Sequence, residues 1–272
     1  MKRIRRRVAI ATVLVLVVPA AAAAVASAKS VISMSGSTSV FPLAVNLAKS
    51  YHGGHSGVGF RILQGGSDIG IDDVAHGRVT IGNASRDPEP GVDPHGLVFH
   101  KIARDGVCVI TNPRNRIRGL NQSQIQQIFS GRVRNWKQVP GHGVTGAIDI
   151  ITRTAASGTA DAFQNIFMTP AFRIAGSAVA KQSNGLVQQK VHSDPNAIGF
   201  VSFDFTGGTH TVSYNGVPCT LRNAKSGQYG GVRNFWMITR GAATGVAKAF
   251  LSWVQHSGSA RGIISRGWIP LG

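Results

Sequence analysis

Residues 153–163 read RTAASGTADAF, from Arg153 to Phe163, and follow directly on a strand pattern at residues 147–152. A strand that ends on a turn of small residues and enters a helix at Ser157-Gly158-Thr159 makes an anion cradle. The first helical N–H groups have no intrahelical acceptors, and they sit at the positive end of the helix dipole. Gly158 lets a ligand approach the backbone, the Ser157 and Thr159 hydroxyls add donors, and Arg153 offers a fork-shaped guanidinium to the same anion. The same letters also describe a plain Ser N-cap on a helix that carries Phe163, Ile166 and Phe167 into a core. The two readings separate on whether the rest of the chain repeats the arrangement.

It does so more than once. Gly36-Ser37-Thr38-Ser39 lies between an apolar strand at 31–34 and a helical pattern marked by Leu43, Leu47 and Tyr51. Gln64-Gly65-Gly66-Ser67 lies between the alternating Val58, Phe60 and Ile62 and a short helix around 71–75. A strand at 79–81 ends in Asn83-Ala84-Ser85-Arg86. Strands alternating with helices at this spacing predict an open α/β sheet, whose ligands gather at the carboxyl ends of its strands.

Beyond this, residues 97–113 read as two apolar strands on either side of Ala103-Arg104-Asp105-Gly106, closed by Asn112-Pro113. Residues 120–129 read as an amphipathic helix capped near Asn121 and stopped by Gly131, with Trp136 in the following loop. One or two helices broken at Asn184-Gly185 are expected over 171–191, and a strand over 197–202. A hairpin around Val212, Tyr214 and Val217, a strand over 233–239 and a helix over 246–255 ending near Gly258 complete the chain. The four tryptophans read as packing residues.

The N-terminus bears on compartment. Lys2, Arg3, Arg5, Arg6 and Arg7 precede an uncharged apolar run from Val8, which ends in Ala26-Ser27-Ala28. This is the plan of a secretory signal occupying residues 1–28, cleaved after Ala28, with an uncleaved anchor as the competing reading. No cysteine lies near that site to take a lipid. The whole chain has 29 Lys plus Arg against 11 Asp plus Glu, a formal charge of +18, and loss of the five leader cations leaves about +13. Basic residues concentrate at Lys101, Arg104, Arg114, Arg116, Arg118, Arg132, Arg134 and Lys137, yet no nucleic-acid-reading motif accompanies them, so a solvated basic face is expected and a nucleic-acid partner is not. Cys108 and Cys219 allow one disulfide in an exported chain, although Cys108 within GVCVI also suits a buried thiol.

These stretches carry a resemblance. GSTSVFPLA from Gly36, QGGSDIGI from Gln64, NASRDPE from Asn83, ARDGVCVITNP from Ala103, LNQSQIQQIFSGRVRNW from Leu120, RTAASGTADAF, AIGFVS and the terminal GWIPL occur in an order and spacing similar to the PstS family. That family comprises the phosphate-binding proteins of bacterial ABC transporters within the periplasmic-binding-protein superfamily, and the likeness spans essentially the whole mature chain. It implies a type II two-lobed α/β fold whose lobes are joined by two crossing strands, with phosphate held in the cleft. The lobes are expected at 29–103 plus 200–272 and at 104–199, with connections near Ile102 and Gly199. Ser37, Thr38, Ser39 and Ser67 are expected to donate from one side, and Arg153, Ser157, Gly158 and Thr159 from the other. In one branch of the family an aspartate stands where this chain has Arg86; the branch resembled here places it as Asp105.

Physical chemistry gives these roles a rationale. Phosphate at neutral pH carries a proton and sulfate does not, so many donors with one fixed carboxylate acceptor would suit the first and leave the second facing a lone pair. Arg86 and Arg153 are expected to offset the ligand charge and that of Asp105. The bland alternatives are a surface pair of Asp105 with Arg104 or Lys101, plain N-caps at Ser67 and Thr38, and a surface salt bridge of Arg86 with Asp87 or Glu89.

An enzyme reading finds less support. Around Ser67 the sequence lacks the closing glycine of a nucleophile elbow. His52-Gly53-Gly54-His55 has metal-ligand residue types in what reads as a glycine loop, and no metal or cofactor is expected. The expectation is therefore a non-catalytic, monomeric receptor that captures inorganic phosphate and delivers it to the membrane permease of an ABC transporter. The alternatives are a receptor for another oxyanion, a phosphate sensor, and a secreted hydrolase acting on a phosphate ester.

Overall fold

The computed structural model describes residues 30–271, so the expected leader and its cleavage site lie outside the described residues. The chain opens with β1 (Ser30–Gly36), α1 (Phe41–Gly54), β2 (Val58–Ile62), α2 (Ser67–Ala75) and β3 (Ile81–Ala84). β1 pairs in parallel with both β2 and β3, and parallel neighbours need crossovers, which α1 and α2 provide. Pro42 sits in the first turn of α1, where a missing N–H costs nothing, and Leu43, Leu47 and Tyr51 fall on the buried face as their spacing requires. The helix runs through His52 and Gly53, so this histidine pair is not in a glycine loop; His55 stacks on Tyr51, with ring centroids 4.0 Å apart.

The next strand, β4 (Leu97–Thr111), is continuous where the sequence suggests two strands and a turn. It is followed by β5 (Gly119–Leu120), α3 (Gln122–Phe129), β6 (Asp149–Arg153), α4 (Gly158–Phe163), β7 (Val179–Lys181), α5 (Asn184–Ser193) and β8 (Ala197–Ser202). Then come β9 (His210–Thr211), β10 (Ser213–Tyr214), α6 (Leu221–Lys225), β11 (Val232–Arg240), α7 (Gly245–His256) and α8 (Gly258–Gly267). The polar Arg104-Asp105-Gly106 stays extended because β11 runs antiparallel beside it and sets Arg233 opposite Asp105. The backbone of Arg104 is also bonded in both directions to Ile269.

The main sheet has the order β2-β1-β3-β11-β4-β8-β6-β7, and β4 links its two halves. Residues 97–106 pair with β11 and Val107–Thr111 with β8. Phe200, Val201 and Ser202 pair with the 107–109 segment, β9 pairs with Ile110 and Thr111, and β10 pairs with β5, so the chain rejoins the first half of the sheet at Val232. Cys219, within this excursion, is disulfide-bonded to Cys108, with Cα atoms 5.7 Å apart. Of the two readings of Cys108, the disulfide is the one observed.

Each half has its own core. Ile32, Leu43, Leu47, Phe235, Phe250 and Trp268 pack in the first, and Phe129, Trp136, Phe163, Phe167 and Phe200 in the second. The amphipathic helix at α3 is capped at Asn121 by a reciprocal pair with Gln124, as its sequence indicates. Other elements also differ from expectation. Within 171–191 the chain forms the strand β7 beside β6, and Asn184-Gly185 opens a helix rather than breaking one, with the Ser183 hydroxyl accepting from the Leu186 N–H. Ser257 both ends α7 and caps α8, a helix the sequence reading did not include.

Candidate functional site

The sheet halves meet where α1, α2 and α4 begin. On the first half, the Ser37 N–H donates to the Asn83 carbonyl (2.8 Å), and its hydroxyl donates to Ser85 Oγ (2.8 Å) while accepting from the Ser39 N–H (3.2 Å). Ser67 opens α2, and its Oγ accepts from the Ser85 N–H (3.0 Å). On the second half, Ser157 is the N-cap of α4, its Oγ accepting from the N–H groups of Thr159 (3.2 Å) and Ala160 (3.3 Å). Thr159 Oγ1 and Ser39 Oγ lie 3.0 Å apart across the junction.

Glycines make this approach possible. A Cβ on Gly158 would stand 2.3 Å from Ser67 Oγ and 2.9 Å from the Arg86 nitrogen. Gly66, held at φ +118°, would place a Cβ 2.4 Å from the Ala156 carbonyl oxygen. The Asp68 N–H donates to that same carbonyl (3.3 Å).

The charged groups are placed by strands. Arg153, at the end of β6, is 5% exposed. Its Nε donates to the Lys181 carbonyl (3.1 Å), and its Nη2 to the Gln182 carbonyl (2.9 Å) and Thr38 Oγ1 (3.2 Å). Its Nη1 is buried without a partner. Burial, aided by repulsion from Arg233, lowers its pKa to about 9. Asp105, in the middle of β4, is fully buried, which removes the surface-pair reading. Its Oδ2 accepts from Arg233 Nε (3.1 Å) and Nη2 (2.9 Å), while its Oδ1 has no partner. Burial pushes the Asp105 carboxyl up, and Arg233, the Ser202 side chain and the Phe203 backbone pull it back.

Arg233 is the second cation of the cluster, and sequence reasoning missed it. Its Nη2 also donates to Ser39 Oγ (2.8 Å), and its Nη1 to Ser85 Oγ (3.3 Å) and to the Gly158 carbonyl (3.3 Å), so one side chain touches both halves. Arg86 holds a different position. Its backbone lies beside Gly158, but its guanidinium is bound to Asp68 (2.9 Å) and Asp93 (2.6 Å), with Glu89 at 3.7 Å and Asp161 at 3.9 Å. Burial alone would lower the Arg86 pKa; the bonds to Asp93 and Asp68 raise it. Burial beside Asp68 raises Asp161 to about 7.

Asn184 and Ser85 also join the cluster unannounced. Asn184 Nδ2 donates to Thr38 Oγ1 (3.0 Å) and Ser39 Oγ (2.8 Å), and its Oδ1 accepts from the Ser202 N–H (3.2 Å). An Asn at the first position of a capped helix was the available signal. Ser37, Thr38, Ser39, Ser67, Asp105, Arg153, Ser157, Gly158 and Thr159 are thus brought together, with Arg233, Asn184 and Ser85 added and the buried Arg86 side chain turned to Asp68 and Asp93 instead. Among the described residues no group of three or more His, Cys, Asp or Glu is placed to hold a metal ion. The assembly is a buried array of hydroxyl, amide and guanidinium donors with one buried carboxylate paired to Arg233, which is chemistry for an oxyanion.

The model of the PBP superfamily domain matches residues 21–257. The chain belongs to the PBP superfamily. Among its PBP-superfamily relatives, the phosphate-binding protein PstS of Bacillus subtilis (strain 168) is 27% identical over 249 residues, covering 90% of this chain and 82% of the relative. A Clostridium perfringens chain described as a phosphate ABC transporter substrate-binding protein, solved with bound phosphate, superposes with a TM-score of 0.83 at 29% identity, covering 89% of this chain and 100% of that one. An ABC-type phosphate transport receptor from Vibrio cholerae has a TM-score of 0.71 at 26% identity, with coverage of 89% and 100%. The two sheet halves are accordingly the lobes of a PBP-like fold, with the donor array at their junction.

Proposed function

We propose that this chain is an extracytoplasmic solute-binding protein of the PstS type, which closes its lobes over one inorganic phosphate ion and delivers it to the permease of an ABC transporter. The observation that carries the proposal is Arg153, a buried guanidinium whose partners are two carbonyls and a hydroxyl and whose Nη1 has none. Buried cations are costly unless an anion accompanies them, and among the described residues the buried carboxylate nearby, Asp105, is already bonded to Arg233. A ligand anion completes the balance. The relatives named for phosphate supply its chemical class.

The geometry supports the following roles. Thr38, Ser39, Thr159 and Arg153, the last through its unpartnered Nη1, donate to the oxyanion, while Arg233 and Asn184, whose N–H groups are taken up by Asp105, Ser39, Ser85, Gly158 and Thr38, hold those donors in place. Ser37, Ser67, Ser85 and Ser157 fix the helix entries that present these donors, and Asp105 Oδ1 accepts the proton of hydrogen phosphate. Arg86 takes no part in the ligand shell; it anchors the loop that follows Ser85 to Asp68 and Asp93. We assign residues 30–103 and 232–271 to one lobe and 104–231 to the other. The second boundary moves from 199 to 231 because residues 200–219 pair and cross-link with the 107–111 segment of β4.

A non-catalytic reading is supported by the hydroxyl cluster, whose hydrogen-bond partners are other hydroxyls, arginines, amides and backbone groups, with no histidine base among them. The close approach of Gly158 to Ser67 also favours a compact ion over an ester. The protein is proposed to act as a monomer. Equilibrium dialysis of ligand-stripped protein against labelled phosphate tests the reading. One ion retained per chain, undiminished by excess glycerol phosphate, is expected; no retention, or preference for the ester, would overturn it.

A further inference from the structure

The charges of this chain are segregated. No Asp or Glu occurs between Gly106 and Ile148, a stretch that carries Arg114, Arg116, Arg118, Arg132, Arg134 and Lys137. All six are exposed, and none is ion-paired with a carboxylate among the described residues.

Strand directions place them away from the donor array. Arg153 and Ser202 end β6 and β8 at the cleft, and Asp105 lies on β4 at the same level. β4 runs out at Thr111 where β6 and β8 begin, at the opposite end of the lobe. The loops leaving that end are tied into one surface. The Gly143 N–H donates to Asn115 Oδ1 (3.0 Å), laying the loop around 143 against Arg114 and Arg116. The N–H groups of Ile148 and Trp136 donate to the carbonyls of Arg134 and Gly146, both at 2.9 Å, and the Ser213 N–H donates to the Arg118 carbonyl (3.2 Å). The acids at this end are Asp194, paired with Lys190 at 2.9 Å, and its neighbour Asp149.

The composition of this tip narrows its partner. Arginine predominates, and its planar fork suits phosphate oxygens better than a point charge does. The large exposed hydrophobics, Val31, Val45, Leu63, Ile69, Val92, Val98, Val179 and Leu186, all lie outside residues 106–148, and Trp136 is buried. Membrane-surface binders combine basic residues with exposed apolar side chains to insert, which this face lacks, and single-strand nucleic-acid binders combine them with exposed aromatic platforms, whereas the aromatic beside these cations, Phe172, is half-buried beneath Arg132. We propose that the cleft-distal tip of the 104–231 lobe is a docking surface for a linear polyol-phosphate polymer, a hydrophilic chain of repeating phosphodiester groups without bases. The tip would hold the receptor within an anionic matrix while its cleft works independently.

The test uses the whole mature chain and poly(glycerol phosphate) as probe, with binding followed across salt concentration. Six contacts predict that log K falls with log salt at a slope of about −4 to −5. The variant Arg114→Gln/Arg116→Gln/Arg134→Gln/Lys137→Gln is expected to flatten that slope by about one per side chain removed. Its uptake of free phosphate should be unchanged, which shows that the fold is intact. Absence of polymer binding at about 50 mM salt, or an unchanged slope in the variant, would overturn the proposal. So would tighter binding to phosphatidylglycerol vesicles than to the polymer with the same dependence on these four residues, which would assign the face to a membrane.

Discussion

Arg233→Met is the most informative single change to the proposed site. It removes two bonds to Asp105 Oδ2, at 3.1 and 2.9 Å, and the 2.8 Å bond to Ser39, while the flexible methionine keeps much of the side-chain volume. What is lost is the cation in contact with a fully buried carboxylate. Breaking one side of such a pair costs about 3–5 kcal/mol. In a chain of this size, that lowers the melting temperature by about 6–20 °C.

The deficit should depend on pH with a definite sign. Burial already holds Asp105 above its ordinary value of 3.8, and loss of Arg233 raises it further. A carboxyl raised in the folded state binds more protons folded than unfolded, so relative stability is regained as pH falls through the raised pKa and fully below the unfolded value. The variant should therefore be most impaired near about pH 7.5 and less so near about pH 5. Adding Asp105→Asn should recover much of the loss by removing the unpaired charge. Urea unfolding of the wild type, both single variants and the double variant at the two pH values completes the assay. A deficit below about 1 kcal/mol, or one that is equal at both pH values, would refute the account of Asp105 and Arg233 as a buried, coupled pair.

Arg153→Ala should weaken phosphate binding by about 10²- to 10³-fold, the cost of about 3–4 kcal/mol for losing a buried charge-assisted contact, with little change in unfolding, as isothermal titration and urea melts would show. Gly158→Ala should impair closure, because its Cβ meets Ser67 Oγ at 2.3 Å; at least about tenfold weaker binding, or roughly 1.4 kcal/mol, and a larger radius of gyration by small-angle scattering with phosphate are expected. Cys108→Ser with Cys219→Ser opens a link spanning 111 positions and should cost about 2–5 kcal/mol in chemical denaturation, while phosphate binding at saturation stays at one ion per chain.

The parts of the fold legible in the sequence were those set by local chemistry. Three helix entries were marked by turns rich in glycine and hydroxyl residues, and each turn lies where the two sheet halves meet. β4 was misread because Arg104-Asp105-Gly106 resembles a turn when its partner is unknown, and its extended form depends on Arg233, 128 positions away in sequence. The same separation hid Arg233, which lies within an ordinary apolar strand with no turn or cap to mark it. Arg86, beside a hydroxyl-rich turn, drew attention instead; only the three-dimensional placement of Asp68 and Asp93 shows where its guanidinium goes. Asn184 was hidden by the usual meaning of Asn-Gly as a break, although Ser183 before it was a readable cap. We move the lobe boundary from 199 to 231, because the pairing of the AIGFVS strand with β4, which its sequence does not reveal, keeps the following residues beside the second lobe.

The central claim is that this site selects an oxyanion bearing a proton. Calorimetric titration of ligand-stripped mature protein with phosphate and then sulfate, at neutral pH, tests it most directly. Sites built around a hydrogen bond to the ligand reject the analogue lacking it by roughly 10⁴-fold, so tight one-to-one phosphate binding with no resolvable sulfate heat is predicted. Comparable binding of both ions would contradict the role of Asp105 Oδ1 as the acceptor that defines the ligand.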